Sequence, residues 1–593
     1  MDRVLSAHEE LLLVSTDEKF YLVPPDTQDA LEIDRLNFEL VLVDKSTVPT
    51  SAQHQRVCAL VGIIHLLAGP YLIVGVEKTL VGNIAGHNVY NIVQFDVIPF
   101  TKSTIHLSES QARDNQQYVA MVQRVLATPG FYVSYTYDLS LSLQRSQQLS
   151  QTKQNFSQLS LYERADLRFV WNSYLLRDLV VVPSLKRFYV PLIHGFVEVK
   201  KDCSINGKHF SFALISRRSC QRAGVRYFVR GVDNDGHAAN YVETEQLVGF
   251  KNTWGSYVQT RGSIPLYWSQ RPTLKYKPRP KIAKGVNHMQ GLQKHFDDQI
   301  YHYGQQVVVN LIDQKGSEKS LGEIFQSCVT SFANCLVCYD AFDFHKECSK
   351  MRWDRLSMLI NRLSPKQDEF GCFMIGDKGE VSSLQQGVFR TNCIDCLDRT
   401  NVVQSMLAHR ILEMQLQRLG VLAAGDKLEA KKEFEGSFKN VWADNGDACS
   451  AQYTGTGALK TDFTRTGKRT TAGKLRDGYN SLARYYYNNF SDGFRQDAID
   501  LFLGNYEVDR WEGITVPSPF HNQKNWKIAV LPLIVLIAFS MLFISLIIPS
   551  TNATLQLGYI LFWAVIVLTT VFFILRSGEE FTNSPKLVHV GEK

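Results

Sequence analysis

The stretch 386-QGVFRTNCIDCLDRTN-401 carries two cysteines, two aspartates and two arginines within residues 390–401. The run before it, 386-QGVFR-390, is typical of a strand, and 401-NVVQSMLAHRILEMQLQRLG-420 has the spacing of a helix. A tight loop between a strand and a helix directs the N-terminus of the helix at the loop. Together with the strands and helices that alternate around it, this stretch favours an α/β catalytic domain.

The loop has the spacing Cys-x5-Arg, from Cys393 to Arg399. Inward backbone N–H groups and the helix dipole make such a loop a cradle for an anion, typically a phosphate. The same field favours the thiolate of Cys393, which turns it into a nucleophile. Arg399 is suited to bind two phosphate oxygens, and Thr400 to donate a hydrogen bond to the sulfur. We therefore predict phosphoryl transfer through cysteine.

Two other interpretations of the cysteines compete with this one. Cys393 and Cys396 form a C-x-x-C, as do Cys335 and Cys338, and two such pairs suggest zinc. The pairs are too far apart for a zinc ribbon, and the second runs into a helical pattern. A thioredoxin-like redox pair has no need of the two aspartates and the arginine. Cys396 itself either fills space or forms a protective disulfide with the nucleophile, and the first is preferred.

The two aspartates need an explanation, because ionised carboxylates repel a bound phosphate. One of them is expected to brace the loop against a neighbour such as Arg390. The other, with a raised pKa, would protonate the leaving oxygen, and Asp398 is preferred over Asp395 for this role. Structural roles for both stay open, as does an acid from elsewhere, such as Asp343 or Asp444. Arg390 and Asn392 are also predicted to contact the substrate.

The whole chain, with 593 residues, is too long for one core. Its net charge of +6 is a mild hint of an anionic partner, and eleven scattered cysteines indicate a reduced, cytosolic protein. No signal peptide is recognised at the N-terminus. We predict a β-rich N-terminal subdomain over 1–185, a catalytic domain over 186–515 and a juxtamembrane linker over 516–527.

Two uncharged apolar runs, 528–548 and 557–575, are each long enough to cross a bilayer as a helix. Lys524 and Lys527 precede the first run and Arg576 follows the second, whereas the short connection between them carries no charge. The positive-inside rule then places both termini, the catalytic domain and the tail 576–593 in the cytosol. The chain is predicted to be anchored by a transmembrane hairpin.

Several segments have recognisable local patterns. Strands are predicted at 39–44, 57–67, 71–76, 89–98, 209–216, 225–232, 239–248 and 305–313. Helices are predicted at 110–127 and 317–333. The segment 142–164, rich in Gln and Ser, is predicted to be an exposed loop.

The signature loop and several long segments, including 216-SRRSCQRAGVRYFVRGVD-233, 256-SYVQTRGSIPLYWSQ-270 and 442-WADNGDACSAQYTGTGALKTDFTRTGKRT-470, resemble the Sac-domain phosphoinositide phosphatases. With its apolar hairpin the chain most closely resembles the integral-membrane members of endoplasmic reticulum and Golgi. The resemblance implies a Sac N-terminal subdomain and a metal-independent hydrolase without cofactors. It also implies action chiefly on phosphatidylinositol 4-phosphate, with the 3-phosphate and the 3,5-bisphosphate as further candidates. Cys393 then matches the nucleophile and Arg399 the phosphate-binding arginine.

Basic residues after the loop are the remaining candidates for substrate contact. They either bind the inositol phosphate or the anionic leaflet, or form a solvated face; they are Lys460, Arg465, Lys468 and Arg469. For Arg217, Arg218, Arg230 and Arg261 both a substrate contact and a structural role stay open. A protein tyrosine phosphatase and an inactive lipid-binding tether are the rival functions. No nucleic-acid partner is predicted, and protein partners stay undefined.

Overall fold

A computed structural model describes residues 5–50, 52–153, 155–348, 355–466, 469–521, 526–548 and 552–587. Lys468, one of the predicted substrate contacts, lies outside these ranges. The N-terminal end of the chain forms an antiparallel sheet in the order β4-β3-β2-β1-β5. Its strands are β1 Leu11–Ser15, β2 Lys19–Val23, β3 Asp29–Asp34, β4 Leu40–Asp44 and β5 Gln53–Val57.

The later strands contribute to one large sheet and a small ribbon. They are β6 Ala59–Leu66, β7 Gly69–Ile84, β8 His87–Pro99, β9 Phe131–Val133, β10 Ile193–Ile205, β11 Lys208–Arg218, β12 Val242–Phe250, β13 Thr253–Arg261, β14 Trp268–Ser269, β15 Lys281–Ile282, β16 Gln305–Asn310, β17 Val337–Ala341, β18 Phe373–Ile375, β19 Val381–Ser383 and β20 Gly387–Asn392. The main path of the large sheet runs β17-β16-β20-β13-β12-β11-β10-β9-β8-β7-β6, and β14 pairs with β15. Within the described chain, strands pair in parallel only in the part around β16, β17, β20 and β13.

Helices cover both faces of this sheet and extend beyond it. They are α1 Glu109–Leu126, α2 Leu143–Thr152, α3 Leu161–Arg164, α4 Arg177–Val180, α5 His288–Tyr303, α6 Lys319–Phe332, α7 Phe344–Glu347, α8 Leu356–Phe370, α9 Asp398–Arg418, α10 Lys432–Thr454, α11 Thr461–Thr466, α12 Thr471–Phe490, α13 Asp492–Leu503, α14 Trp526–Ile547 and α15 Ala553–Arg576. The mixed sheet with flanking helices agrees with the predicted fold class of an α/β catalytic domain behind a β-rich N-terminal part.

The large sheet crosses the predicted boundary at residues 185–186. Ile193 of β10 pairs with Tyr132 of β9, so strands from both sides of that boundary share one sheet. A second connection joins the two ends of the chain, because the buried carboxylate of Glu512 accepts hydrogen bonds from Tyr118 of α1 and from Tyr506. The N-terminal part is therefore joined to the catalytic part by backbone pairing and by a buried polar contact.

Three local predictions differ from the structure. The segment 142–164 contains α2 and α3, because Ser142 and Ser160 cap these helices through their hydroxyl oxygens. The segment 225–232 lies in turns, since its arginines bind a distant carboxylate instead of extending a sheet. The helix after the signature loop begins at Asp398, three residues before the predicted start at 401. Tertiary contacts override the local pattern in the second case.

α14 and α15 are long and apolar enough to cross a membrane, and hardly any of their side chains are buried. They pack against each other, and Gln556 of α15 donates to the carbonyl of Ser545 (3.1 Å). After Arg576 the chain turns back to the catalytic body, where Asn583 N–H donates to Asn489 O (2.7 Å). Leu587 is buried among the residues of the largest apolar core. We call residues 577–587 the tail strap.

Candidate active site

The signature loop lies at the carboxyl end of β20, a central strand of the parallel part of the sheet. β20 pairs with β16 on one side and with β13 on the other, and all six of its residues are buried. The loop leaves the sheet at Cys393, and α9 begins at Asp398. At Cys396 the backbone has φ = +53°, in the left-handed region, which closes the turn tightly.

The thiol of Cys393 lies on the floor of this loop and is almost fully buried. Its sulfur accepts hydrogen bonds from the N–H of Cys396 (2.9 Å) and from the hydroxyl of Thr400 (3.6 Å). Burial by itself raises the pKa of a thiol. The hydrogen bonds from Cys396 and Thr400 and the charge of Arg399 outweigh burial and lower the pKa of Cys393 below the ordinary value. The geometry favours a thiolate.

The thiol of Cys396 has the opposite character. It is buried and donates to the carbonyl of Gly262 (2.9 Å). Burial and the neighbouring sulfur of Cys393 raise its pKa well above the ordinary value. The position of Cys396 therefore supports packing and loop shape, in line with the preferred interpretation of this residue.

Arg399 lies in the first turn of α9, beside Cys393. Its guanidinium donates to Leu311 O (3.0 Å) and to Asp313 Oδ1 (3.1 Å), and it lies 3.5 Å from Glu318 Oε1. Burial lowers its pKa, but the thiolate of Cys393 and these two carboxylates outweigh that effect and raise it. The guanidinium therefore stays charged and is held at the cleft wall by two acids.

Asp395 is held by two arginines from the turns after β11. Arg226 binds it through Nε (3.1 Å) and Nη2 (2.7 Å), and Arg230 donates from Nη2 (2.7 Å). Burial would raise the pKa of Asp395, but the two guanidinium groups hold it far below its usual range. A carboxylate in this state does not donate a proton near neutral pH. The predicted brace exists, but its partners are Arg226 and Arg230 and not Arg390.

Asp398 is the other acid of the loop, and its side chain is one-third exposed in the cleft. Its Oδ1 accepts from the N–H of Leu459 (3.1 Å), and Arg484 lies 4.0 Å from Oδ2. Burial raises the pKa of Asp398, and the charge of Arg484 offsets only part of this effect. Asp398 therefore has the raised pKa that a general acid needs.

The two alternative acids lie outside the cleft wall. Asp343 caps α7 by accepting from the N–H of Lys346 (3.0 Å). Asp444 is paired with Arg465. Each of them has a structural partner, and the geometry favours neither as the proton donor.

A cleft of about 490 Å³ opens above the loop. Cys393, Asp395, Asp398 and Arg399 all line it, and so does Lys460, which is exposed. Arg465 and Arg469 do not line it; Arg465 binds Asp444, and Arg469 binds Asp462 and Asp477. Arg226 and Arg484 are cationic residues of the wall that the sequence pattern did not reveal, and Lys277, from the Lys- and Arg-rich segment 271–285, also lines it.

Arg390 and Asn392 were predicted to contact the substrate, but both lie fully buried beneath the loop. Arg390 donates to Nε2 of His295 (2.9 Å) and to Ser263 O (2.7 Å), whereas Asn392 donates to Asn310 Oδ1 (2.6 Å). Alternation along β20 points both side chains to the same face of the sheet, where they are packed and not open to the cleft. Their position supports a structural role instead.

The other arginines left open by the sequence also have structural partners. Arg217 is completely buried and pairs with Glu243 (2.8 Å) and Glu245 (2.6 Å) on the neighbouring strand. Arg261 donates to the sulfur of Cys449. Arg218 donates to Gly224 O (2.8 Å). Arg230, as described above, acts through Asp395.

The two cysteine pairs do not come together. Cys338 lies opposite Val307 in the sheet, whereas Cys393 follows Asn392, which lies opposite Asn310. Strand β16 lies between the strand of Cys338 and the strand that leads to Cys393. Cys393 also lies more than three residues further along the strand direction than Cys338. Across the described parts of the chain, the one group of three side chains close enough to share a cation is Asp233, Asp235 and His237, away from the cleft.

Residues 58–349 match the SacI homology domain. A Danio rerio protein named phosphatidylinositol-3-phosphatase SAC1-A is 53% identical over 98% of this chain and 99% of its own length. The chain belongs to the Sac family. Sac relatives named phosphatidylinositol-3-phosphatase SAC1 include a Drosophila melanogaster protein (48% identical; 90% of this chain, 89% of its own) and a Saccharomyces cerevisiae protein (38%; 92% and 87%). This Sac chain is accordingly a hydrolase.

Sequence reasoning missed the partners that set the state of the Sac signature loop. Arg226 and Arg484 bind its two aspartates, and Asp313 and Glu318 hold Arg399. Asp313 and Glu318 are five positions apart, but Arg226 and Arg484 lie far from them and from each other in the sequence. Their only sequence signal is that Arg226 belongs to the Sac-like segment 216–233.

Proposed function

We propose that this chain removes one phosphate from the inositol ring of a membrane phosphoinositide, through a phosphocysteine intermediate and without a metal ion. The observation that carries the proposal is the sulfur of Cys393, which accepts hydrogen bonds from Cys396 N–H and Thr400 at the floor of a cleft lined with cations. A thiolate in such a position has no use in a tether or in a simple lipid-binding protein.

In the first step the thiolate of Cys393 attacks phosphorus. The S–P bond forms as the bond between phosphorus and the inositol oxygen breaks, and Asp398 gives its proton to that oxygen. In the second step Asp398 takes a proton from water, the water oxygen attacks phosphorus, and the S–P bond breaks. Thr400 donates its hydrogen bond to the leaving sulfur. Phosphate, free thiolate and protonated Asp398 result.

The transferred phosphate needs positive charge around it. Arg399 is the nearest candidate, and a phosphate dianion would compete with Asp313 and Glu318 for its guanidinium. Lys460 and Lys277 are exposed at the wall and suited to further phosphates or to the leaflet. Asp395 acts by positioning, since it holds Arg226 at the cleft wall and Arg230 behind it.

The relatives are named 3-phosphatases, which supports phosphatidylinositol 3-phosphate as a substrate. The resemblance of the signature loop supports the 4-phosphate as the chief substrate, with the 3,5-bisphosphate as a further candidate. The hairpin α14–α15 would anchor the enzyme in endoplasmic reticulum and Golgi membranes, with its termini and cleft in the cytosol. Anchoring concentrates the enzyme at its substrate, so we expect action on the same membrane.

The test measures phosphate release by the full-length protein in liposomes that contain each phosphatidylinositol monophosphate or the 3,5-bisphosphate, with a chelator present. Activity should survive the chelator and vanish in Cys393→Ser. The matched control is Cys338→Ser, an exposed cysteine remote from the loop, which should keep full activity. Activity unchanged by Cys393→Ser would overturn the nucleophile, and turnover of a phosphopeptide without lipid turnover would favour a protein phosphatase.

A further inference from the structure

The helix α12 exposes its apolar face and buries its polar face. Its large apolar side chains are exposed by 45–73%; they are Leu475, Tyr479, Leu482, Tyr486 and Phe490. At 3.6 residues per turn these five positions fall within an arc of about 80°. The opposite face is buried and polar, with Asn480, Arg484 and Asn488. A helix that faces water normally shows the reverse arrangement.

The buried polar face of α12 faces the cleft and the residues around it. Arg484 donates to Thr456 Oγ1 (2.7 Å) and to Ser450 Oγ (2.8 Å), and it lies beside Asp398. Asn488 and Tyr485 also line the cleft. α12 is thus one wall of the cleft, and its apolar stripe lies on the outer side of that wall, where no other described element covers it.

The tail strap places this stripe near the end of the hairpin. Asn583 is the seventh residue after Arg576, the last residue of α15, so the two are at most about 25 Å apart. Asn583 N–H donates to Asn489 O (2.7 Å), one residue before the end of α12. Lys527, at the start of α14, lies 3.4 Å from Glu580 of the strap. The cytosolic ends of both hairpin helices therefore meet the C-terminal end of α12.

Positive charge surrounds the stripe. Lys474 and Arg476 are exposed in the first turns of α12. The loop 271–285 packs on its other end, where Tyr485 donates to Leu274 O (2.8 Å), and exposes Lys275 and Lys277. Exposed aromatic and leucine side chains between lysines and arginines are the composition of a helix that lies in the interface of an anionic bilayer.

We propose that the stripe of α12 inserts into the interface of the bilayer that holds the hairpin. The occupant is lipid and not a protein, because the hairpin ends beside the stripe and the flanking charges match an anionic leaflet. Resting on the proposed function, this arrangement holds the wall of the cleft that α12 forms at the surface of the same membrane. A phosphoinositide then reaches Cys393 with its acyl chains still in the bilayer, which is the physical basis for action in cis.

The direct test uses the full-length protein in liposomes of phosphatidylcholine and phosphatidylserine with a labelled phospholipid. The photocrosslinking residue p-benzoylphenylalanine replaces Tyr479 or Tyr486 in turn. The matched control replaces Tyr301, a tyrosine of α5 that is 85% exposed and precedes the strand end opposite the cleft. We expect lipid adducts from both stripe positions and none from Tyr301. Adducts with protein alone, or no adducts, would overturn the proposal whether or not the enzyme is active.

A second measurement separates docking from catalysis. The variant Leu475→Gln/Leu482→Gln should lower turnover of liposomal substrate about tenfold, since each leucine loses apolar transfer energy while the hairpin still tethers the enzyme. Turnover of a short-chain, water-soluble phosphoinositide should stay within twofold of the original. The control Ile105→Gln/Val181→Gln removes two exposed apolar residues from the N-terminal part and should change neither. Equal losses on both substrates would contradict an interfacial role.

Discussion

At the residue scale, Asp398 and Cys393 predict the pH dependence of catalysis. The mechanism needs Cys393 as thiolate, whose pKa is lowered, and Asp398 protonated, whose pKa is raised. The value of kcat/KM should therefore rise as pH climbs through the pKa of Cys393 and fall as pH climbs through that of Asp398.

The variant Asp398→Asn should lose this alkaline fall. It should also slow the hydrolysis of inositol phosphates by about 10²–10⁴-fold, while an aryl phosphate, whose leaving group needs no proton, should be much less affected. Asp444→Asn, at the alternative acid, should keep the alkaline fall. If Asp398→Asn kept the alkaline fall and Asp444→Asn lost it, the proton donor would be Asp444 and not Asp398.

Asp395 carries a prediction about stability. Its side chain is 20% exposed and binds two arginines, so Asp395→Asn leaves both guanidinium groups without a carboxylate and should cost roughly 3 kcal/mol. Because its pKa is depressed in the folded state, the stabilisation is present above the pKa of an unfolded Asp and is lost as pH falls. The melting temperature of the variant against pH measures this effect.

The control for that measurement is Asp17→Asn, which breaks the exposed pair with Lys102. Its melting temperature should match that of the original protein, because exposed ion pairs are screened by solvent. A melting temperature of Asp395→Asn equal to that of the control would mean that the loop does not depend on Arg226 and Arg230.

At the element scale, the contact between α13 and the tail strap depends on Gly493. A Cβ at this position would lie 2.6 Å from the backbone oxygen of Asn583 and 2.6 Å from the carbonyl carbon of Ser584. Gly493→Ala should therefore push the strap away and speed hydrogen exchange of residues 577–587. Gly436→Ala in α10 meets no atom within 4 Å; it should leave this exchange unchanged and stabilise its helix by about 0.5–1 kcal/mol. Slow exchange in both variants would show that the strap tolerates the added methyl.

At the scale of the whole molecule, the hairpin and the tail strap make the membrane part inseparable from the catalytic body. A chain that ends at residue 521 loses the hairpin, the buried Leu587 and the backbone donors of Lys586 and Leu587 to Asp497 (2.9 Å). Its melting temperature should fall, and a peptide of residues 577–587 added in excess should restore it by mass action. Its activity on liposomes should fall further than its activity on soluble substrate, since tethering is lost. A truncated chain as stable as the original, and indifferent to the peptide, would contradict the role of the strap.

Much of the fold and the loop was accessible from the amino-acid sequence. The strand before Cys393, the helix after it and the two apolar runs are local patterns, and local patterns depend on residues a few positions apart. The boundaries of these elements agree to within a few residues, and Cys393 and Arg399, the predicted nucleophile and phosphate-binding arginine, line one cleft. Membership of the Sac family is likewise visible in the sequence, because long segments of the chain match those of its relatives.

Only the tertiary structure decided what each charged residue contacts. Asp395 meets Arg226 across 169 positions of sequence, Arg390 lies beneath the loop, and Arg465 and Arg469 pair with neighbouring acids and not with the cleft. The exposed apolar face of α12 likewise indicates a membrane contact only because folding places it next to the end of the hairpin. The physical reason is that a charge or an apolar stripe takes its function from its surroundings, and those surroundings come from segments that the chain brings together only on folding.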